Sequence, residues 1–431
     1  NNYKKIIDND EANSKMWAAF LFTTNYTYKY KQKEYLNLCY KYADKLKKFD
    51  EKKLRNFQYE KNPKKLRLGF FSADLRTHSV AKFIEETLKI LKQNNFEIIA
   101  FSNNNLGADD LTTERLKEIF HEWYDIIKLT DLEVINLIRD KKINMLFDLT
   151  GFSTGNRCEI FKNKSAPLQI SWCGYCNSSG IKEIDYLIAD QNLIKKEEEF
   201  NYTEEIIRLP KIWNSHFLIS SKIEINELPA LKNKFITFGS FNNYGKLSDE
   251  AIETWSKILK NNNSKLILKS SVHDHQLLRD NIMSKFKKNG IENNKIIFME
   301  RVKNNDDHLK LYNKIDISLD TFPFCGATTT FESLWMGVPT ITLSGEIFNS
   351  KFGVSINKNL NLNNFIAKSK IDYIEKAMVI SSDLNKLSQI RKSLRKLVID
   401  SPLFDNKSLG LNLTKILKEK WNLFSKLNKN S

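Results

Sequence analysis

Short apolar runs of the buried-strand kind alternate with amphipathic helical stretches along this chain, and after a polar break the alternation starts again. Such runs are too short for helices and too apolar for half-exposed strands. They call for a parallel sheet covered by helices on both faces. The first series has strand-type runs at 66–72, 96–101, 143–149, 168–173 and 184–188, with helices at 80–91, 110–119 and 131–140. The stretch 190–234 is mixed and polar, broken by Leu209-Pro210 and Leu228-Pro229. The second series has runs at 235–241, 265–269, 295–299, 317–320 and 339–343, with helices near 248–260, 274–288, 306–313 and 328–336. Helices dominate from 371 onwards, and 1–60 reads as helical through Trp17, Phe20, Leu21, Leu36, Tyr40, Tyr42 and Leu46. The expected fold class is therefore α/β: two doubly wound, Rossmann-like lobes facing a cleft, with a helical preface and C-terminal helices. The segments are 1–60 (preface, the end of a repeat or linker region), 61–225 (N-terminal lobe) and 226–431 (C-terminal lobe with the terminal helices).

Composition narrows the function classes. A chain of 431 residues with 41% hydrophobic and 12% aromatic residues is globular, not disordered or fibrous. The formal net charge of +16 raises nucleic-acid binding, but the lysines are spread along the chain among acids and asparagines. A solvated surface accounts for them, so no nucleic acid is expected. The charge also suits an anionic small molecule. Five cysteines, an odd number without a disulfide framework, point to a reducing compartment, the cytoplasm. Cys173-Gly174-Tyr175-Cys176 lacks the second pair that a zinc site needs. No apolar run is long enough to span a membrane and no signal peptide is visible, so no membrane partner is expected. The chain opens on Asn1-Asn2, which suggests a piece of a longer protein.

The chemistry is expected at strand ends. Asp320 closes a strand, the loop through Cys325-Gly326-Ala327 follows, and Thr328-Thr329-Thr330 opens a helix. Unpaired N–H groups at a helix start, hydroxyls beside them and the dipole behind suit a diphosphate. Glu332 stands about one turn on, where a carboxylate can take hydrogen bonds from a ribose diol. Thr329-x-x-Glu332 also reads as a capping box that needs no ligand. In Phe238-Gly239-Ser240-Phe241-Asn242-Asn243-Tyr244-Gly245-Lys246, a strand runs into a loop whose lysine precedes a helix capped by Ser248. A lysine there can meet a phosphate as a point charge. His78 follows the first strand, where it can move a proton or simply satisfy the loop. Gly151, Gly155 and Gly174 allow either close approach of backbone to ligand or tight turns. His273-Asp274-His275 reads as surface, and Asp8-Asn9-Asp10, though a D-x-D, is far from any strand end. There is no Walker loop and no G-x-G-x-x-G.

Taken in order, these pieces resemble the O-GlcNAc transferase family with its SPINDLY-like members. They are L-R-x-G-F-x-S-x-D-x-x-x-H at 66–78, D-L-x-G at 148–151, G-N-R at 155–157, and A-P-L-Q-I-S-W-x-G-Y at 166–175. Then come F-G-S-F-N-N-x-x-K at 238–246, L-D-T-F-P at 319–323, G-A-T-T-T-x-E-x-L-W-M-G-V-P at 326–339 and Ser401-Pro402-Leu403-Phe404. The resemblance implies a GT-B fold and an inverting, metal-independent transfer from a nucleotide sugar, commonly UDP-GlcNAc, to Ser or Thr of an acceptor protein. No cofactor and no metal ligand are expected. The resemblance makes Lys246 the phosphate-binding catalytic lysine and puts His78 in the active site. It gives the donor Asn243, Gly326, Thr328 and Thr329 near the diphosphate, Glu332 at the ribose, His308 beside the nucleotide, the backbone of Val302 and Lys303 at the base, and Gly174 near the sugar. The chain departs from the family pattern in three places. Ala327 stands where animal enzymes have His; Cys173 and Cys176 replace the Leu and Pro of L-G-Y-P-G; Gly151-Phe152-Ser153 replaces G-H-T. Tetratricopeptide repeats usually precede the family's lobes, and here 1–60 is at most their remnant. The readings that compete are another donor (GDP-fucose or UDP-glucose), an Asn acceptor, and a nucleotide-sugar-binding module without turnover.

Overall fold

The apolar runs become the middle strands of two parallel sheets. The structure, a computed structural model, describes residues 13–57, 59–104, 109–216, 222–261, 263–270, 275–300, 302 and 304–427. The chain divides into two units. One holds Asn1–Thr24, Lys29–Phe217 and Asp405–Ser431; the other holds Asn25–Tyr28 and Leu218–Phe404.

In the first unit, helices α1 (Ser14–Thr24) and α2 (Gln32–Lys45) precede β1 (Leu66–Ser72), α3 (Ser79–Gln93), β2 (Phe96–Ser102), α4 (Leu111–Ile119) and β3 (Glu122–Asp125). There follow α5 (Asp131–Asp140), β4 (Met145–Asp148), α6 (Cys158–Lys162), β5 (Leu168–Ser171), β6 (Tyr186–Asp190) and β7 (Glu205–Leu209). The seven strands run parallel in the order β3-β2-β1-β4-β5-β6-β7. Register pairs include Phe70 with Ala100 on one side and Phe70 with Phe147 on the other. The order reverses between β1 and β4, and in such sheets ligands bind outside the strand ends at that reversal. Helices α1 and α2, which fall in the segment 1–60, do not form a separate preface. Trp17, Leu21, Tyr35, Cys39 and Tyr42 are buried in one cluster with Phe71, Phe101, Phe152 and Tyr175 of the sheet and its loops. Burial of such side chains contributes roughly 1.5–3 kcal/mol each, so the two helices are integral to this unit.

In the second unit α7 (Pro229–Asn233) leads to β8 (Ile236–Ser240), α8 (Asp249–Lys260), β9 (Ser264–Lys269), α9 (Gln276–Lys288), β10 (Ile296–Met299), α10 (Asn305–Lys310) and β11 (Ile317–Leu319). Then come α11 (Thr328–Trp335), β12 (Thr340–Leu343), α12 (Phe352–Asn359), β13 (Ile366–Ala367), α13 (Lys370–Ser382) and α14 (Leu384–Ile399). Strand order is β10-β9-β8-β11-β12-β13, again parallel, with Phe238 beside Ile317 where β8 meets β11. The reversal lies between β8 and β11.

The last helix, α15 (Asn406–Leu427), corrects the reading of 226–431 as one lobe. It packs on α3 of the first unit. Gly410 crosses so close to Ile90 that an added Cβ would lie 2.7 Å from its Cγ2. Farther along, Trp421 Nε1 donates to the Lys61 carbonyl at 3.1 Å. Buried Leu409, Leu413, Leu417 and Trp421 form the face that does this, a pattern the helix carries whichever unit it packs on. No described helix is long and apolar enough to cross a membrane.

Candidate active site

Both loops flanking the β8/β11 reversal carry the residues singled out from sequence. The strand β8 ends at Ser240, and a 3₁₀ turn, Tyr244–Lys246, follows. Ser248 caps α8, accepting from the Ala251 N–H at 3.1 Å and donating to the Phe322 carbonyl at 2.6 Å, so the turn is tied to the loop after β11. Lys246 Nζ donates to the Cys325 carbonyl at 2.7 Å and lies 4.1 Å from the centroid of the Phe324 ring. A cation against a ring face and a carbonyl is held in place without being neutralised.

Gly326 and α11 follow at once. Thr330 and Phe331 both donate to the Ala327 carbonyl, and among the described residues the N-cap, Ala327, makes no side-chain cap hydrogen bond. The capping-box alternative is therefore not realised. Thr329 Oγ1 donates instead to Asn242 Oδ1 at 2.8 Å, and Glu332 turns to His308. The helix start keeps its positive end and its open amides beside the lysine. Gly326 N–H donates to Asp320 Oδ1 at 2.7 Å, and Thr342 Oγ1 to Asp320 Oδ2 at 2.8 Å. Burial pushes the Asp320 carboxyl up to about 6 against these hydrogen bonds and the Lys246 charge. A Cβ on Gly326 would lie 2.7 Å from Asn242 Oδ1, so the loop needs glycine for close approach.

One element away, Glu332 Oε2 lies 3.0 Å from His308 Nε2, and His308 Nδ1 lies 2.6 Å from Lys269 Nζ at the end of β9. Phe241 and Tyr312 pack against the same imidazole. Val302 is half-buried in the loop before α10; Lys303 lies outside the described residues.

Asn243 closes the turn before Lys246. Its side chain accepts from the Gly245 N–H at 3.0 Å, closing the turn, and the residue is exposed. The neighbouring Asn242 meets Thr329 and Asp320 instead. Two adjacent asparagines after a strand give no sequence signal as to which turns inward. Asn242, Asp320 and Lys269 were all missed. Asp320 was visible as a strand-end acid, but Lys269 was one lysine among many.

In the first unit the expected residues occupy the loops at the β1/β4 reversal and the neighbouring one after β5. His78 is the N-cap of α3: Nδ1 accepts from the Val80 N–H at 3.3 Å, with Asp74 Oδ2 3.6 Å away. Burial lowers its pKa and outweighs the raising effect of Asp74. The loop role named as its alternative is thus present. Gly174 packs against the Leu149 carbonyl, which any Cβ there would overlap. Gly151, at φ +54°, fits against the Tyr175 side chain in the same way. The loops 148–157 and 172–180 are therefore interlocked, and Gly174 serves that packing. Asp148 Oδ1 accepts from the N–H groups of Thr150 and Gly151, both at 2.9 Å, and burial lifts its carboxyl to about 6.

Asp8–Asp10, His273 and Asp274 lie outside the described residues. Among the described residues no group of three His, Cys, Asp or Glu side chains is placed to hold a metal ion, and the five cysteines are all free.

Comparison with known proteins adds a lineage to this geometry. The profile of "Glycosyl transferase family 41" matches residues 22–219 and 214–413. The chain is 33% identical over 359 residues to "Probable UDP-N-acetylglucosamine–peptide N-acetylglucosaminyltransferase SPINDLY" of Solanum lycopersicum, covering 82% of this chain and 38% of that protein. It thus spans about two-fifths of the length of the curated relatives it matches. A mutant of Thermobaculum terrenum O-GlcNAc transferase superposes with a TM-score of 0.88 at 25% identity, over 96% of this chain and 78% of that one. Anabaena HepE in complex with UDP and glucose, 10% identical, superposes at 0.51 over 82% of this chain and all of its own, a likeness of fold alone.

Proposed function

The chain belongs to glycosyl transferase family 41, and from that premise we propose that it transfers GlcNAc from UDP-GlcNAc to a Ser or Thr hydroxyl of an acceptor protein. The relative from Solanum lycopersicum carries that donor and a peptide acceptor in its name. The observation that carries the reading is the 2.7 Å hydrogen bond from Lys246 Nζ to the Cys325 carbonyl. It holds an ammonium one residue from Gly326, at the uncapped start of α11 and at the β8/β11 reversal.

In the proposed reaction the acceptor hydroxyl attacks the anomeric carbon from the face opposite the UDP, which inverts its configuration. The bond to the diphosphate oxygen breaks as the new C–O bond forms, and the hydroxyl proton passes to a base. The negative charge that grows on the departing UDP is met by Lys246 and by the amides of Thr328 and Thr329, so no metal ion is required. Glu332, oriented by His308, takes the ribose hydroxyls. His78, at the β1/β4 reversal of the first unit, is proposed as a catalytic residue without an assigned step. Five free cysteines fit a reducing compartment, and the cytoplasm is the compartment we propose.

The test is intact-mass analysis of candidate acceptor proteins incubated with the chain and UDP-GlcNAc. A gain of one N-acetylhexosamine on Ser or Thr is expected. Calorimetric titration with UDP and with GDP accompanies it, and a clear preference for GDP would overturn the donor assignment.

A further inference from the structure

The turn between α1 and α2 carries no motif, yet Asn25–Tyr28 belongs to the second unit while both flanking helices belong to the first. Two of them, Asn25 and Tyr26, lead within the second unit to the supports of one side chain. The Tyr26 ring stacks on Phe324 with centroids 5.1 Å apart and planes at 29°. Phe324 is the ring against which Lys246 Nζ rests, at 4.1 Å. The Tyr26 ring edge also borders the backbone before the lysine: a Cβ at Gly245 would lie 3.9 Å from Tyr26 Cε1 and Cζ. One residue back, Asn25 is buried and its Oδ1 accepts from Asn349 Nδ2 at 2.9 Å. The Asn349 carbonyl accepts from the Cys325 N–H at 3.1 Å, and the Cys325 carbonyl holds Lys246. Asn25 and Tyr26 therefore brace the two supports of the ammonium, its ring and its carbonyl. Burial lifts the Tyr26 phenol to about 12, so it adds no negative charge beside the lysine.

We propose that Tyr26 is a positioning residue for Lys246, setting the place of the ammonium through Phe324. The inference rests on the reading of Lys246 as the cation that meets the donor diphosphate. A tyrosine that only filled space would affect all ligands alike, whereas one acting through the lysine affects the diphosphate.

The test is calorimetry of the full chain with UDP and UMP, using wild type, Tyr26→Phe, Tyr26→Ala, Lys246→Ala and the double variant. Tyr26→Phe keeps the stacked ring and should bind UDP within about twofold of wild type, while Tyr26→Ala should weaken UDP about fivefold and leave UMP nearly unchanged. In the Lys246→Ala background the Tyr26→Ala loss should fall below about twofold, because the two changes remove one interaction. Equal losses in both backgrounds, or equal losses for UDP and UMP, would overturn the proposal. If Lys246→Ala itself leaves UDP affinity intact, the diphosphate reading fails first and this inference with it. Should Tyr26→Ala not fold, Tyr26→Leu, which keeps apolar bulk without the stack, supports the same comparison.

Discussion

His308 Nε2 lies 3.0 Å from Glu332 Oε2, while His308 Nδ1 lies 2.6 Å from Lys269 Nζ. An ammonium only donates, so Nδ1 accepts, and the ring proton sits on Nε2, donating to the carboxylate. One carboxylate is thereby aimed by an imidazole whose orientation a lysine helps to set. Glu332→Ala should lower affinity for UDP and for UMP by the same factor, about tenfold or 1.4 kcal/mol. It should leave inorganic pyrophosphate unaffected, since the residue is assigned to the ribose. Calorimetry with the three ligands checks this; a loss seen only with UDP would move Glu332 to the diphosphate.

Lys246→Ala should show the opposite pattern. Its ammonium is assigned to charge that UDP carries and that grows when the sugar leaves. UDP affinity should fall more than UMP affinity, and transfer to acceptor should drop by roughly 100-fold or more. Lys246→Arg should restore little, because a planar fork does not fit a site built for a point charge between the Phe324 ring and the Cys325 carbonyl. Thermal melts of both variants should stay within a few degrees of wild type, which separates lost chemistry from lost fold.

Much of the architecture was legible because central strands are buried on both faces. Phe70, Phe147 and Phe238 lie in short, largely apolar runs, and Leu319 alternates with Asp316, Ser318 and Asp320, which are buried as it is. The strands that reasoning from sequence missed, Glu122–Asp125, Glu205–Leu209 and Ile366–Ala367, are all sheet edges. An edge strand is short and half solvated, so Glu122, Asp125 and Glu205 dilute the signal there. At the candidate site, Lys246, Gly326, Thr329 and Glu332 lie beside a strand end and a helix start, places that the sequence pattern marks. Asn242 against Asn243 could not be chosen that way, because the choice depends on which amide closes the turn at Gly245. The placing of α15 with the first unit was equally invisible: an amphipathic helix records that it has a partner, not which one.

Gly174 tests packing against ligand contact. A side chain at this position would overlap the Leu149 carbonyl, a backbone atom that cannot swing away. Gly174→Ala should therefore cost at least about 3 kcal/mol or abolish folding. Urea unfolding checks it. A variant of wild-type stability that had lost only donor binding would make Gly174 a ligand contact first.

Asp148 makes stability depend on pH in a direction opposite to that of most carboxylates. Its carboxyl ionises near 6 in the folded chain against the ordinary 3.8. Between those values the folded state binds more protons than the unfolded state, so stability falls as pH rises from 4 to 6. Two pH units at about 1.4 kcal/mol each amount to about 3 kcal/mol. An asparagine keeps an oxygen for the Thr150 and Gly151 N–H groups without the buried charge. Relative to wild type, Asp148→Asn should thus gain stability steadily from pH 4 to 6 and keep that gain at pH 7. Asp316 and Asp320, also lifted to about 6, are present in both proteins and cancel in the difference. Asp110 and Glu122, lowered to about 2, act mainly below this window and cancel in the difference as well. Urea unfolding of the two proteins at half-unit steps of pH measures the difference, and a flat line across 4 to 6 would mean that water or a shifted loop relieves the burial of Asp148.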